Sequence, residues 1–211
     1  MLYELQLGTR EAVGNNKMSF TTGGLFKRES VALADLFFNF GNWDTVRNKV
    51  LAENLLQTRT LTSSQRVCRE VISRLKTLNP SELDLLVRGT SQEQCYLLWI
   101  AVCRCYKFIA DFAVEILRER YLGLKIDLHY EDFDAFFNKK SEWHPELDTI
   151  QPATRNKLRQ VLFKILREAE LLTASNTISA AMLSPRLLEA ISPGNRRDIL
   201  FFPMSESALE G

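Results

Sequence analysis

Apolar residues recur at intervals of three and four positions over most of this chain, and this periodicity restricts the fold more than any other feature. The segment 91–121 shows it clearly, with Cys95, Leu98, Trp99 and Val102 followed by further apolar residues at the same spacing. An α-helix completes a turn every 3.6 residues, so residues spaced in this way form one apolar face that must be buried. The pattern predicts an all-α, mainly helical protein.

Residues that favour helix ends divide this pattern into separate helices. Serine, threonine and asparagine are frequent N-caps, whereas glycine and proline commonly follow a helix C-terminus. We predict helices over residues 27–39, 43–57, 64–78, 81–87, 91–121, 130–143, 154–170 and 185–191, with Ser63, Ser91 and Thr154 among the N-caps. The longest helix would be the central helix of the fold. A short β-hairpin is predicted over 171–182 and a final strand over 199–202.

The same signals suggest how the chain is organised into regions. We predict a flexible N-terminal segment 1–24, an N-terminal helical domain 25–123, a C-terminal winged-helix-like domain 124–204 and a tail 205–211. The first residues are polar and mixed, so Met18 is an alternative to Met1 as the translation start.

Net charge, cysteine spacing and hydropathy limit the classes of protein to which this chain can belong. Lysine and arginine number 27 and aspartate and glutamate 26, so net charge alone argues neither for nor against a polyanionic partner. The four cysteines form no CxxC pair, and the start of the chain has no apolar signal sequence, which favours a cytoplasmic protein. The most apolar run, Cys95–Cys103, has nine residues. A membrane span needs about 20, so no contact with the membrane is expected.

Catalytic and metal-binding motifs are not found in the sequence. There is no GxSxG, Walker A, GxGxxG or HExxH pattern. An acidic cluster of Asp127, Glu131, Asp132 and Asp134 could bind a divalent cation. Carboxylates at the start of a helix are explained more simply by the helix dipole. We therefore expect no enzyme activity, no metal and no cofactor.

Basic residues concentrate in two segments on either side of an acidic one. Residues 31–76 hold seven basic and four acidic side chains, residues 121–150 hold three and seven, and residues 151–200 hold eight and four. Duplex DNA carries dense negative charge, so proteins that bind it offer lysine and arginine to its phosphates. The distribution indicates two candidate DNA-contacting regions.

Each basic segment contributes a helix to a unit of the kind used to bind DNA. Helices 43–57 and 64–78 resemble a helix-turn-helix unit, and helices 130–143 and 154–170 followed by the hairpin have the order of a winged helix. The predicted DNA-binding residues are Ser64, Gln65, Arg66, Arg69, Arg74 and Lys76 in the first unit, Arg155, Lys157, Arg159, Lys164 and Arg167 in the second, and Arg196 and Arg197 in a later turn. Alternatively, arginines opposite an apolar stripe form only a solvated helix face.

Three stretches of the sequence resemble the BrxA family, a small component of BREX (bacteriophage exclusion) defence systems. They are residues 23–32, residues 54–66 with Arg74 and Leu75 after them, and residues 154–172. The resemblance covers roughly residues 18–190. It implies a helical, non-enzymatic protein that binds double-stranded DNA in an antiphage system beside a DNA methyltransferase and an ATPase.

Three functions are consistent with these observations. The favoured hypothesis is a non-enzymatic DNA-binding subunit of a BREX system, whose lysines and arginines contact mainly phosphates. The second is a protein–protein adaptor that scaffolds the other defence subunits, the methyltransferase and the ATPase. The third, an RNA-binding helical protein, is suggested only by the helical architecture.

Overall fold

Helices make up most of the protein, which confirms the mainly helical prediction. The computed structural model describes residues 18–21, 23–191 and 193–205. The first helices are α1 (Lys27–Phe40), α2 (Trp43–Ala52), α3 (Leu61–Leu75), α4 (Pro80–Arg88) and α5 (Ser91–Cys105). They are followed by α6 (Lys107–Phe112), a π-helical segment (Ala113–Arg118), α7 (Glu119–Leu122), α8 (Tyr130–Ser141), α9 (Pro145–Asp148), α10 (Pro152–Glu168), α11 (Pro185–Ala190) and a 3₁₀ segment (Pro193–Phe201).

The N-caps lie slightly earlier than the sequence predicts. Thr60, not Ser63, caps α3, and its hydroxyl accepts a hydrogen bond from the Ser63 amide at 3.2 Å. Thr90, not Ser91, caps α5 in a reciprocal capping box with Glu93. Helix α10 begins at Pro152, whose missing amide hydrogen costs nothing in the first turn, so Thr154 is not its cap. Short polar residues are close together at these starts, and local backbone geometry selects among them.

The predicted long helix 91–121 is not continuous. Tyr106 adopts extended dihedrals, with φ −130° and ψ 96°, and separates α5 from α6. Its ring is fully buried, contacts Phe20 edge-to-face, and its hydroxyl donates a hydrogen bond to Glu70. These tertiary contacts explain why the helix is interrupted at a residue whose spacing fits the apolar stripe.

The predicted β structure is smaller than expected. One antiparallel bridge joins Leu172 to Ile178 and another joins Asp127 to Thr177. In place of the predicted hairpin over 171–182, the structure therefore has a tight loop around Asn176 that a single bridge closes. The strand predicted over 199–202 is wrong, because this segment lies within and just after the 3₁₀ segment.

Helix α5 forms the centre of the core and contacts both halves of the sequence. It packs against α1, α3, α4, α6 and α10. The indole nitrogen of Trp99 donates to the carbonyl of Phe201 at 2.9 Å, and the Asn79 side chain donates to the carbonyl of Ala190 at 3.0 Å. Contacts therefore cross the predicted domain boundary at 123/124 in several places.

Part of the predicted flexible segment belongs to this core. Phe20 is fully buried and stacks on Phe108 with ring centroids 6.3 Å apart. The segment predicted to be flexible therefore includes at least one residue of the core, and its flexibility stays a prediction. Residues 1–17 and 206–211 lie outside the described part of the chain, so the remainder of the N-terminal segment and the tail stay predictions.

Within the described residues, no helix combines the length and the apolar character that crossing a bilayer requires.

Candidate nucleic-acid interface

Helix α3 places one face in the core and the other in solvent. Its buried side carries Cys68, Val71, Ile72 and Leu75, which recur at three and four positions and pack under α2 and α5. The loop between α2 and α3 includes two residues with positive φ, Asn54 at 45° and Gln57 at 52°, which end α2 earlier than predicted. This loop and the Thr60 cap fix where the exposed face of α3 begins.

The exposed face of α3 carries the basic residues that the sequence predicts. Gln65, Arg66, Arg69 and Lys76 are exposed, and the three cations form no ion pair with any described carboxylate. At roughly 100° per residue, all four lie within about 100° of helix circumference, and Arg66 and Lys76 are about 15 Å apart along the axis. We call these four residues the α3 basic face.

Two other residues predicted to contact DNA are buried. Ser64 and Arg74 each retain 2% of their side-chain exposure. Arg74 lies eight positions after Arg66, which turns it about 80° towards the core. There it pairs with Glu70 at 2.8 Å and donates to the carbonyl of Gly24 at 2.7 Å. The prediction that these residues lie on the exposed face is wrong.

Two further cations, which are not among the predicted DNA-binding residues, lie in the same unit. Arg47 on α2 and Arg59 in the following loop are exposed. Arg47 lines a groove between α2 and α3 together with Arg69 and Lys76. Burial raises the pKa of the Cys68 thiol, and the charge of Arg47 opposes that shift. In the sequence, Arg47 could have been recognised as a cation on α2 that lies outside the apolar positions Val46 and Val50.

In the second unit, two of the predicted arginines are held by a carboxylate. Asp134 on α8 accepts hydrogen bonds from Arg159 and, at 3.2 Å, from Nε of Arg155. Arg155 also donates to Asn138 at 2.7 Å and lies over the ring of Phe137, with 4.5 Å between the guanidinium carbon and the ring centroid. These arginines hold α10 against α8.

The remaining predicted residues of α10 differ in whether their side chains are bonded to other described residues. Arg167 donates to the side-chain oxygen of Asn176 in the tight loop at 2.7 Å. Lys164 is 3.6 Å from Glu168 one turn later. Lys157 is exposed and pairs with no described carboxylate. Among these five residues, only Lys157 is, like the cations of the α3 basic face, exposed and unpaired with any described carboxylate.

Arg196 and Arg197 are exposed on the 3₁₀ segment, which packs against α5 and the π-helical segment. They are followed directly by Asp198, whose carboxylate is bonded to Arg104 at 2.7 Å. Burial raises the pKa of Asp198, and its bond to Arg104 opposes that shift. Arg196 and Arg197 therefore lie on a segment that the ion pair between Asp198 and Arg104 holds against α5.

Two carboxylates of the acidic cluster that could have held a cation are instead bonded to arginines. Asp132 pairs with Arg120 at 2.8 Å, and Asp134 pairs with Arg155 and Arg159. Asp132 also accepts the His129 amide at 2.8 Å in a capping contact at the start of α8. Structural roles therefore account for these two carboxylates.

A family model and two relatives of this chain share one description. A family model described as BrxA matches residues 15–194. The BREX protein BrxA of Escherichia coli O9:H4 (strain HS) is 26% identical over 147 residues, which cover 70% of this chain and 69% of that protein. The BREX protein BrxA of Paramagnetospirillum magneticum is 23% identical over 180 residues, covering 84% of this chain and 90% of that protein.

A solved structure has the same fold. The crystal structure of an uncharacterized protein from Magnetospirillum magneticum superposes with a TM-score of 0.77 and covers 90% of this chain and 98% of its own. The two sequences are 21% identical, so this likeness concerns the fold alone.

Proposed function

This chain belongs to the BrxA family, and from that premise we propose that it is a non-enzymatic component of a BREX antiphage defence system that binds double-stranded DNA. It would act in the cytoplasm beside the other BREX subunits, a methyltransferase and an ATPase. Its contacts would be mainly to phosphates, which position a protein on the duplex and carry little sequence information.

The observation that carries this proposal is the α3 basic face. Three cations and one amide side chain lie on one exposed helix face, and the cations are free of described carboxylates. An arginine that is already bonded to a carboxylate must break that contact to bind phosphate, whereas a free one need not. The electrostatic attraction of this face is therefore available to an approaching polyanion.

The order of elements supports the two predicted units. Helices α2 and α3 are adjacent, in the order of a helix-turn-helix unit, but their eight-residue loop, 53–60, is longer than the three- to four-residue turn of that motif. In the second unit, the segment 126–128, helices α8 and α10, and the tight loop 172–178 follow the order of a winged helix. Its segment 126–128 bonds to 176–178, since Leu128 donates to Asn176 at 2.9 Å. We infer that α3 is the main contact and α10 a weaker one.

Binding to a short DNA duplex over a salt series tests the proposal. The double variant Arg66→Gln/Arg69→Gln should lower affinity about tenfold or more at low salt. It should also reduce the slope of log K against log salt by about 1.8, since each phosphate contact contributes about 0.9. Fluorescence anisotropy with a labelled duplex measures both quantities.

The matched control is Arg88→Gln/Lys139→Gln, which removes two exposed cations from α4 and α8. This control should bind almost as wild type. Absence of duplex binding by the wild type at low salt, or binding that salt does not weaken, would contradict the proposal. A structured RNA that competes better than the duplex would favour the RNA-binding alternative.

The adaptor function has one observation of its own. Leu124, Met182 and Trp143 expose 87%, 84% and 76% of their surfaces, and Leu124 sits beside the 126–128 segment. Exposed apolar side chains of this size are typical of surfaces that contact other proteins. If the Arg66→Gln/Arg69→Gln variant loses capture of the methyltransferase or ATPase subunit and keeps duplex binding, the adaptor function is the better one.

A further inference from the structure

The groove between α2 and α3 is lined by cations from both helices. Arg47 comes from α2, and Arg69 and Lys76 come from α3. None of the three pairs with a carboxylate in the described part of the chain, although Asp44 also lines the groove. Three positive charges against one negative charge favour an anionic occupant.

The lining of this groove also includes two apolar side chains, Trp43 and Ile72. The indole of Trp43 stacks on Phe37, with ring centroids 4.1 Å apart and an interplanar angle of 14°. Phe37 covers one face of the indole, and Trp43 contributes apolar surface to the same groove as the cations.

The groove is small. Its volume is about 280 Å³, at the lower end of the roughly 300–1,000 Å³ found for ligand pockets. The charge of its lining, and not its volume, therefore selects the occupant.

We propose that this groove binds one phosphodiester of the DNA backbone, with the adjoining deoxyribose against Trp43 and Ile72. This rests on the proposed function and adds Arg47 and Trp43 to its binding residues. The guanidinium groups of Arg47 and Arg69 can each donate two parallel hydrogen bonds to a phosphate, and Lys76 adds a point charge. Arg69 and Lys76 also belong to the α3 basic face, so a bound strand would pass from that face into the groove.

Substitution of Arg47 and the fluorescence of Trp43 test the inference together. Arg47→Gln should lower duplex affinity about tenfold at low salt and reduce the salt slope by about 0.9. Arg88→Gln, on the exposed end of α4, is the matched control and should change neither. Since Trp99 is buried and Trp143 is exposed, the Trp143→Phe variant leaves Trp43 as the tryptophan that can respond to a ligand in the groove. In that variant, emission should change when duplex DNA is added.

The outcomes separate this inference from the proposed function. If the wild type does not bind duplex DNA, both fail. If it binds DNA but Arg47→Gln binds equally well and Trp43 emission is unchanged, only the groove inference fails. Inorganic phosphate at the same phosphate concentration should leave the emission unchanged, and a response equal to that of the duplex would mark a free-anion site instead. A response to polyglutamate without one to DNA would assign the groove to an acidic polypeptide and overturn the inference.

Discussion

Arginines in this protein serve two different purposes, and their neighbours decide which. Arg66 and Arg69 are exposed on α3, and Glu70, the carboxylate one turn after Arg66, is bonded to Arg74 and Tyr106 instead. Arg74, on the same helix, is buried beside Glu70 and lies over the rings of Phe26 and Tyr106. Removing a buried charge partner costs far more than removing an exposed one. We therefore expect stability and the proposed DNA binding to depend on different arginines.

Residues Arg155 and Lys157 provide the clearest comparison at this scale. Arg155→Ala removes bonds to Asp134 and Asn138 and the contact with Phe137, so it should lower the free energy of unfolding by about 1–2 kcal/mol. Lys157→Ala, two positions later on the exposed side of α10, should change it by less than about 0.5 kcal/mol. Urea denaturation monitored by circular dichroism measures both. Equal destabilisation by the two variants would contradict the structural role of Arg155.

Helix ends connect elements that are far apart in the sequence. The Glu93 carboxylate accepts the Thr90 amide at 2.7 Å, which caps α5, and the Ser184 hydroxyl at 2.6 Å. The Ser184 hydroxyl in turn accepts the amide of Leu187 and caps α11. One buried carboxylate therefore joins the starts of two helices.

This junction gives α5 and α11 a pH-dependent link. The hydrogen bond from Ser184, followed by that from the Thr90 amide, lowers the pKa of Glu93 below its ordinary value of 4.5. A carboxyl whose pKa is lower in the folded protein stabilises it above pH ~4.5, and the effect is lost as pH falls through the folded pKa. Ser184→Ala should therefore cost about 1–2 kcal/mol at neutral pH and less in acid.

The matched control for this link is Ser81→Ala, which removes an exposed hydroxyl from the first turn of α4. Denaturation at pH 7 and at pH 4 should show a pH-dependent loss for Ser184→Ala and almost none for the control. If Ser184→Ala loses the same stability at both pH values, the loss comes from the α11 cap bond to Leu187 alone, and the bond to Glu93 contributes no pH dependence.

At the scale of the whole molecule, the two halves of the sequence share one core. The amide of Leu25 donates to Glu168 at 2.6 Å, 143 positions away, and Arg104 joins Glu82 to Asp198. Phe20, near the start of the described chain, packs against Tyr106 and Phe108. The N-terminal residues 18–21 therefore contribute to the stability of the centre.

Phe20→Ala should destabilise the protein by about 3–5 kcal/mol, because it leaves a cavity among fully buried rings. Thr21→Ala, at the half-buried neighbour, is the control and should cost less than about 1 kcal/mol. Thermal or urea unfolding measures the difference. A small effect of Phe20→Ala would mean that the segment before α1 does not pack against the core.

Much of the architecture follows from the sequence alone, because helix formation depends on residues three and four positions apart. The apolar stripes of α3, α5 and α10 predicted their helices, and the resemblance of residues 23–32, 54–66 and 154–172 indicated the family that the comparisons show. The α3 basic face was also predictable, because it lies opposite a local apolar stripe.

Only the tertiary structure decided which cations are free and where helices break. Asp134 is 21 positions from Arg155, and Gly24 is 50 positions from Arg74, so no local pattern predicts either contact. The interruption at Tyr106 likewise depends on Glu70 and Phe20. Hydrophobic periodicity is a property of neighbouring residues, whereas burial and charge pairing depend on groups that only folding brings together.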